Sequence, residues 1–298
     1  MNHPPMSPSF SENTIFSLLA EGRRFLKGKK IAAPHFASLS LLSYILGLDE
    51  AKIYQEGRKT VSKEVATLYF SFLKKRAEGC PLAYLLGTQG FWTLELEVKE
   101  GVFIPRPETE HIIEEVLSLR EKDNFRLIAD IGTGSGNIAL ALASELPEAK
   151  IIAIDISEKA LAVAKRNTEK YGLSHRLEFL KGDLLSPLEE RGLFSLLDLI
   201  VSNPPYIPSE EVATLPQEVR DWEPREAYLA GDGLIFYRRL FSQGGRFLKR
   251  GGYLVVEIGY NQEEGVRDII SSAPFRLVNV REDLNGIPRV ISARYEDK

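Results

Sequence analysis

Asn203-Pro204-Pro205-Tyr206 stands at the end of an apolar run, Leu196-Leu197-Asp198-Leu199-Ile200-Val201, whose composition suits a buried strand. Two successive prolines lack backbone N–H donors and hold the chain extended, so sheet pairing must stop at this corner. A carboxamide and an aromatic ring are thereby placed side by side. The pair suits one task, which is to grip a planar NH2 group and cover the plane that carries it. The nitrogen of an amide or an aromatic amine is a poor nucleophile because its lone pair is delocalised. Two acceptors on its two N–H bonds favour a geometry in which that pair points at an electrophilic carbon. Asn203 Oδ1 is one candidate, and the carbonyl of Pro204 is the other, since Pro205 offers no competing N–H. Tyr206 supplies a flat face and can also face a cation. Such a site needs no strong general base before transfer, and alignment alone can lower a barrier by roughly 7–11 kcal/mol. The predicted chemistry is the movement of a methyl group onto nitrogen.

Upstream, Asp130-Ile131-Gly132-Thr133-Gly134-Ser135-Gly136 joins an expected strand to an expected helix. Glycines there let a ligand approach the backbone, and the helix start offers free N–H groups to an anion, either a methionine carboxylate or a phosphate. Asp155 ends the next strand, 19 residues after Gly136, where a carboxylate can accept both hydroxyls of a ribose. Asp183 and Leu184 end the strand after that. The first can accept the exocyclic amine of adenine and the second can pack on its face. By itself the glycine loop admits a nicotinamide dinucleotide equally well. Hydride transfer, however, has no use for the Asn-Pro-Pro-Tyr corner.

These groups need a scaffold that brings several strand ends together. From Arg126 onward the pattern alternates, with strands expected at 126–131, 151–155, 177–180, 196–202, 252–258, 275–280 and 288–294, and helices at Gly136–Leu146 and Ser157–Tyr171. Alternation of this kind predicts an α/β fold with a mostly parallel sheet covered on both faces, the last two strands forming an antiparallel pair. Residues 1–9, rich in Pro and Ser, are expected to be disordered. Residues 1–86 otherwise read as a small helical bundle. Val65, Leu68, Tyr69, Phe72 and Leu73 form one face of a helix that Lys74, Lys75 and Arg76 close. Alternating Phe91, Leu94, Leu96 and Val98 predict a β-hairpin linker over 87–105, and the domain carrying the chemistry then spans 106–298.

Bulk properties fit a soluble chain of two domains: 298 residues, 44% apolar and 27% charged. No run is long enough to span a bilayer and no signal peptide is expected at the N-terminus. With Cys80 alone an internal disulfide is impossible, which points to the cytoplasm. His3, His35, His111 and His175 are scattered and form no metal-ligand cluster. Charge is uneven. Residues 1–88 hold 12 Lys+Arg against 7 Asp+Glu, and 89–298 hold 26 against 35, giving a basic front (+5) and an acidic rear (−9). Different partners for the two parts, or simply a solvated helical surface, would account for this.

Several segments together resemble the N5-glutamine methyltransferases of peptide chain release factors, the HemK/PrmC type. They are Gly79-Cys80-Pro81-Leu82-Ala83-Tyr84-Leu85-Leu86-Gly87, Phe91-Trp92, Phe103-Ile104-Pro105-Arg106-Pro107-Glu108-Thr109-Glu110, the glycine loop, the Asn-Pro-Pro-Tyr corner, Glu223-Pro224, Gly231-Asp232-Gly233-Leu234, Tyr237-Arg238 and Glu257-Ile258-Gly259. The resemblance runs from about Phe36 to the end. It implies a seven-stranded Rossmann-like sheet, S-adenosylmethionine as donor, and the glutamine of a Gly-Gly-Gln loop in class I release factors as acceptor. It also implies an N-terminal helical domain that helps dock that protein. Residues Gly132, Thr133, Gly134, Ser135, Gly136, Asp155, Leu184 and Asn203 would hold the donor, and Asn203, Pro204, Pro205 and Tyr206 the glutamine amide, with Asn203, Pro204 and Tyr206 catalytic. Two departures stand out: Leu184 lies where the family often has an aromatic residue, and Cys80 where it commonly has Glu.

A monomer without nucleic-acid substrate is expected. The alternative is an adenine-N6 methyltransferase acting on nucleic acid, which shares the Asn-Pro-Pro-Tyr chemistry. Against it stands the acidity of the catalytic part; the cluster Arg23-Arg24-Phe25-Leu26-Lys27-Gly28-Lys29-Lys30 favours it. A docking scaffold without activity is a third reading.

Overall fold

A computed structural model describes residues 13–121 and 123–296, so the stretch 1–9, expected to be disordered, lies outside the described residues. The chain divides into two compact units, 1–86 and 87–298. In the first, five helices form: α1 (Ile15–Gly28), α2 (Pro34–Leu46), α3 (Glu50–Gln55), α4 (Lys63–Ala77) and α5 (Leu82–Leu86). Polar caps start three of them. Thr14 and Ser17 form a reciprocal capping box on α1, Asp49 accepts from Lys52 N on α3, and Ser62 accepts from Val65 N on α4. Leu18, Leu26, Leu41, Leu42, Ile53, Tyr69 and Leu73 fill the bundle. The inward face of α4 is Ala66-Tyr69-Leu73-Arg76. Leu68, expected to be buried, is 46% exposed. Arg76, at the basic end that closes the helix, turns inward, and its guanidinium donates to the Cys80 carbonyl at 2.9 Å.

The second unit begins with a hairpin of β1 (Thr88–Phe91) and β2 (Leu94–Glu97). Read as a linker, this hairpin instead belongs to the core of the second unit, where Phe91, Leu94 and Leu96 join Ile112, Val116 and Leu140 in one apolar cluster. Its turn places Trp92 at φ 55°, a conformation rarely adopted by a bulky residue. Two carboxylates hold it: Glu110 accepts from Trp92 N at 2.8 Å and Glu145 from its indole N–H at 2.7 Å.

There follow α6 (Glu110–Arg120), β3 (Leu127–Ile131), α7 (Asn137–Glu145), β4 (Lys150–Asp155), α8 (Glu158–Lys170), β5 (Leu177–Lys181), α9 (Ser186–Glu190) and β6 (Leu197–Ser202). After these come α10 (Gln217–Trp222), α11 (Ile235–Gly244), β7 (Leu248–Glu257), α12 (Glu263–Ser271), β8 (Phe275–Glu282) and β9 (Pro288–Tyr295). One seven-stranded sheet runs β5-β4-β3-β6-β7-β9-β8, with β9 antiparallel to both neighbours and the rest parallel. Strands buried on both faces need apolar residues at both parities. Ile128, Ala153, Val201 and Val255 enter one cluster, while Ala129, Ile152, Ile200 and Val256 enter the other. Successive connections leave β3 in opposite directions, so a crevice opens at the C-terminal ends of β3 and β6. Among the described residues no helix is long and apolar enough to cross a membrane.

Candidate active site

Four strand ends converge on that crevice. The loop after β3 carries Gly132, Gly134 and Gly136, all at positive φ (75°, 57° and 86°), which glycine alone adopts without steric cost. A Cβ at Gly134 would meet nothing within 4 Å, and one at Gly132 would reach only the Asn203 carbonyl, at 3.9 Å. The loop therefore bares its backbone and lies against the start of the diproline corner. Carboxylates pin it from two sides. Asp155 Oδ2 accepts from Gly134 N and its Oδ1 from Ser157 N, each at 2.8 Å. Burial holds the Asp155 carboxyl above its ordinary range, and those two backbone N–H groups oppose the rise. Beneath the loop, Asp130 Oδ2 accepts from Thr133 Oγ1 at 2.6 Å and from Ala139 N at 3.1 Å. Burial pushes the Asp130 carboxyl up to about 7.

A cavity of about 410 Å³ spans these strand ends. Gly132, Gly134, Ser135, Asp155, Asp183, Leu184, Asn203 and Pro205 line it, as does Ser157. Two expected ligand residues do not. Thr133 is 1% exposed and spends its hydroxyl on Asp130, so its side chain holds the loop. Gly136 sits away from the cavity, and a Cβ there would come within 3.2 Å of the Ala164 Cβ, so it serves helix packing. Asp183 reaches the wall, but its carboxylate is already paired with both guanidinium nitrogens of Arg239, at 3.2 and 2.5 Å. Leu184 is held at φ 51° beside it. Sequence reasoning missed Phe103, Ile156, Glu226, Phe236 and Arg239 on this wall. Phe103 opens the Phe-Ile-Pro-Arg-Pro segment, and Phe236 and Arg239 flank Tyr237-Arg238, but nothing in these segments marks any of the five as a wall of the cavity.

A second cavity, about 180 Å³, lies on the other side of the corner and shares Phe103, Asn203 and Ala227 with the first. Pro204, Tyr206, Arg106, Leu215, Val219 and Tyr228 complete its wall. Tyr206 thus faces this smaller cavity and does not line the larger one, where a ring against a cation was expected. Pro205 takes the position on the larger cavity. Asn203 Nδ2 donates to Thr109 Oγ1 at 2.9 Å, and that leaves Oδ1 as the free end of the carboxamide. Tyr206 donates its phenol proton to Glu257 Oε1 at 3.3 Å. Glu257 is 2% exposed; burial pushes its carboxyl up to about 7, opposed by the Thr109 and Tyr206 hydroxyls.

Gln262 braces the corner from behind. Its Nε2 donates to the carbonyls of Tyr206 (2.8 Å) and Gly233 (3.3 Å), while Oε1 accepts from Gly259 N (3.0 Å) and the Tyr237 hydroxyl (3.2 Å). All four hydrogen-bonding positions of the carboxamide are filled. Arg106 pairs with Glu223 and lies 4.7 Å from the centre of the Phe103 ring. Glu223 also accepts from Ile104 N at 3.4 Å. The Ile-Pro-Arg-Pro segment is thereby tied to a loop more than a hundred residues away.

A seven-stranded sheet with this strand order, a glycine loop after its first parallel strand and an Asn-Pro-Pro-Tyr corner after its fourth defines the methyltransferase class. The methyltransferase small domain model matches residues 110–218, and the PrmC N-terminal domain model matches residues 17–87. Among solved structures, the hMettl16 catalytic domain in complex with a MAT2A 3'UTR hairpin shares the fold. Its TM-score is 0.55 at 18% identity, covering 76% of this chain and 83% of that one. The release factor glutamine methyltransferase of Geobacter sulfurreducens is 39% identical over 282 residues, 94% of this chain and 96% of the relative. Its counterpart from Moorella thermoacetica is also 39% identical, covering 94% and 98%, and that from Nitratidesulfovibrio vulgaris 36%, covering 97% and 98%. This chain belongs to the release factor glutamine methyltransferase family.

Proposed function

We propose that this enzyme transfers the methyl group of S-adenosylmethionine to the side-chain amide nitrogen, N5, of the glutamine in the Gly-Gly-Gln loop of class I peptide chain release factors. One observation carries the reading. Two cavities meet at Asn203, whose NH2 end is tied to Thr109 and whose oxygen is left to accept. A donor on one side and a carboxamide on the other would come together at that wall.

The residues of the larger cavity fit the donor. Gly132 and Gly134 leave room for close approach, and the hydroxyl oxygen of Ser135 is buried on the wall without a hydrogen-bond partner. Asp155 spends one lone pair of Oδ2 on the loop and one of Oδ1 on Ser157 N, and keeps others for a ribose diol. Leu184 and Ile156 offer apolar faces to an adenine ring, whose exocyclic amine would reach Asp183 beside its arginine partner. S-adenosylmethionine would supply a methyl group activated by a positively charged sulfur.

On the acceptor side, Asn203 Oδ1 and the Pro204 carbonyl receive the two N–H bonds of the glutamine amide and turn the nitrogen lone pair toward the larger cavity. Tyr206, clamped through Glu257 and Gln262, covers the amide plane. Phe103 closes the junction between the cavities and keeps water from it. The helical unit would help dock the release factor; its exposed Phe36, Tyr44 and Leu68 are apolar side chains that a protein partner would cover. The enzyme would act as a monomer, in the cytoplasm where release factors work.

The test is direct. Protein incubated with methyl-labelled S-adenosylmethionine and a release factor should label one glutamine, located by mass spectrometry. A release factor carrying alanine at that glutamine should take up none. Label elsewhere, or on nucleic acid, would overturn the assignment.

A further inference from the structure

The larger cavity takes its wall from both sides of β3. Ile156 follows β4 and Leu184 follows β5, which lie on one side of β3 in the sheet. Phe236 and Arg239 belong to α11, which follows β6 on the other side. Positions 236 and 239 are three apart and share a helix face. The neighbouring stripe of Tyr237, Leu240 and Phe241 is buried in the core. With that stripe committed to the sheet, α11 turns one aromatic ring and one guanidinium toward the cavity.

Arg239 fixes where this face stands. Its Nη1 and Nη2 donate to the two oxygens of Asp183, at 3.2 and 2.5 Å. Asp183 directly precedes Leu184, so the ion pair clasps α11 to the loop after β5, across the crevice. Phe236 stands one turn before the clasp. It is half-buried, yet it belongs to neither of the apolar clusters that flank the sheet, and among the described residues it pairs with no other ring. The other ring on this wall, Phe103, stands at the junction with the smaller cavity. Beside Asp183, Leu184 and Ile156 are aliphatic. A ring that lines a cavity without a protein partner suits a flat aromatic ligand, because stacking removes two apolar faces from water at once.

We propose that Phe236 is a donor-binding residue whose ring covers the face of the adenine that Leu184 and Ile156 leave open, in a slot whose width the Asp183–Arg239 clasp sets. The inference rests on the reading of the larger cavity as the S-adenosylmethionine site and adds the residue that carries the base there. Arg239 is a positioning residue, acting through Phe236 and Asp183. Both members of the clasp are partly exposed, so it adds little to stability; what it controls is the slot.

The experiment needs no release factor. S-adenosylhomocysteine, the donor without its methyl group, is titrated into the protein by calorimetry. Phe236→Ala should raise its dissociation constant about 10-fold or more, within the range of one base–aromatic stack, and Phe236→Tyr should stay within about threefold of wild type. 5′-Methylthioadenosine, which keeps the base and ribose but lacks the carboxylate, should weaken by a similar factor. Arg239→Met should weaken both ligands by a smaller factor with Tm nearly unchanged, and should cost less again in a Phe236→Ala background, where the slot has lost one side. Phe236→Trp gives an optical readout. Its emission, taken as the difference from wild type with Trp92 and Trp222, should be quenched by both ligands as the base stacks on the indole. Equal dissociation constants in wild type and Phe236→Ala would overturn the proposal, as would a Phe236→Trp that binds without quenching. Should Phe236→Ala not fold, Phe236→Trp decides alone. If wild type binds neither ligand, the donor reading of the cavity falls, and the proposal with it; if wild type binds both and Phe236→Ala binds them equally well, the proposal alone falls.

Discussion

Beside the larger cavity lies a glycine loop whose shape is held by carboxylates on its backbone and on Thr133, whereas the corner at the smaller one is held by contacts that run largely between side chains. The glycine loop owes its shape to Asp130 and Asp155, which grip its N–H groups and Thr133 from behind. At the diproline corner, by contrast, the shape-giving contacts run through Thr109, Asn203, Tyr206, Glu257 and Gln262. The glycine cradle presents no side chain along its own loop at Gly132 and Gly134. A side-chain network does, and each member fixes the donor or acceptor sense of the next. Substitutions at the corner should therefore strike the rate, and substitutions at the cradle should strike donor binding.

The sharpest break of that contrast is Asn203→Ala. It should lower the methylation rate by about 10²-fold or more, the scale of one preorganised electrostatic contact, and move the donor dissociation constant far less. Single-turnover kinetics beside calorimetric titration separate the two, and a normal rate would remove Asn203 from the mechanism. Next in size is Asp155→Ala, which deletes the acceptor of two backbone N–H groups and of the expected ribose contact. Donor affinity should fall roughly 10- to 100-fold, the range of one charged hydrogen bond; kcat at saturating donor should change less. An unchanged dissociation constant would sink the ribose assignment.

Gly259→Ala probes the brace behind the corner. Its Cβ would come within 2.9 Å of the Tyr206 ring and 2.8 Å of Gln262 Oε1. The ring must shift, so KM for the release factor should rise several-fold, and stability should drop by about 1–3 kcal/mol, as overpacking does. Wild-type KM and Tm would show that the ring position does not matter.

The last probe is a pH slope on the cradle side, which touches stability and not the rate. Asp130 titrates near 7 in the fold against 3.8 ordinarily, raised by burial. The folded state thus prefers the neutral acid. The stability this group contributes is present below about 4 and lost as pH rises through about 7. Wild-type Tm should carry that decline between pH 4 and 7, and Asp130→Asn should flatten it. An equal slope in both proteins would show that Asp130 ionises without cost to the fold.

The fold was legible because its signals are local. Apolar runs bounded by glycine and proline place every strand of the large sheet within a few residues, except that β7 starts at Leu248, ahead of the expected 252. There an irregular register past Leu197 lets the strand begin early. Capping residues mark the helices of the first unit. The hairpin was visible too, but its membership in the core of the second unit was not, since Phe91 and Leu94 are apolar in either reading. The face of α4 was misjudged at Leu68 for a related reason: period alone does not tell which of two adjacent apolar stripes turns inward.

Within the site, the motifs found the corner and the loop but assigned to the ligand Thr133, whose hydroxyl holds the loop, and Gly136, whose missing Cβ lets Ala164 pack close. Gln262 carries no motif and could not have been found. Thr109 and Glu257 stand in segments that the family resemblance marks, without any hint that the first bonds Asn203 and the second Tyr206.

Residue order alone determined that a diproline corner follows a buried strand, that three glycines open a helix, and that an acid ends the neighbouring strand, because proline, glycine and apolar alternation act on their own backbone. Only the tertiary structure decided which end of the Asn203 amide is free, which cavity Tyr206 faces, and that the two cavities share a wall. Those outcomes depend on pairs of groups dozens to more than a hundred residues apart, and the energy that orients a carboxamide comes from its partner across the fold.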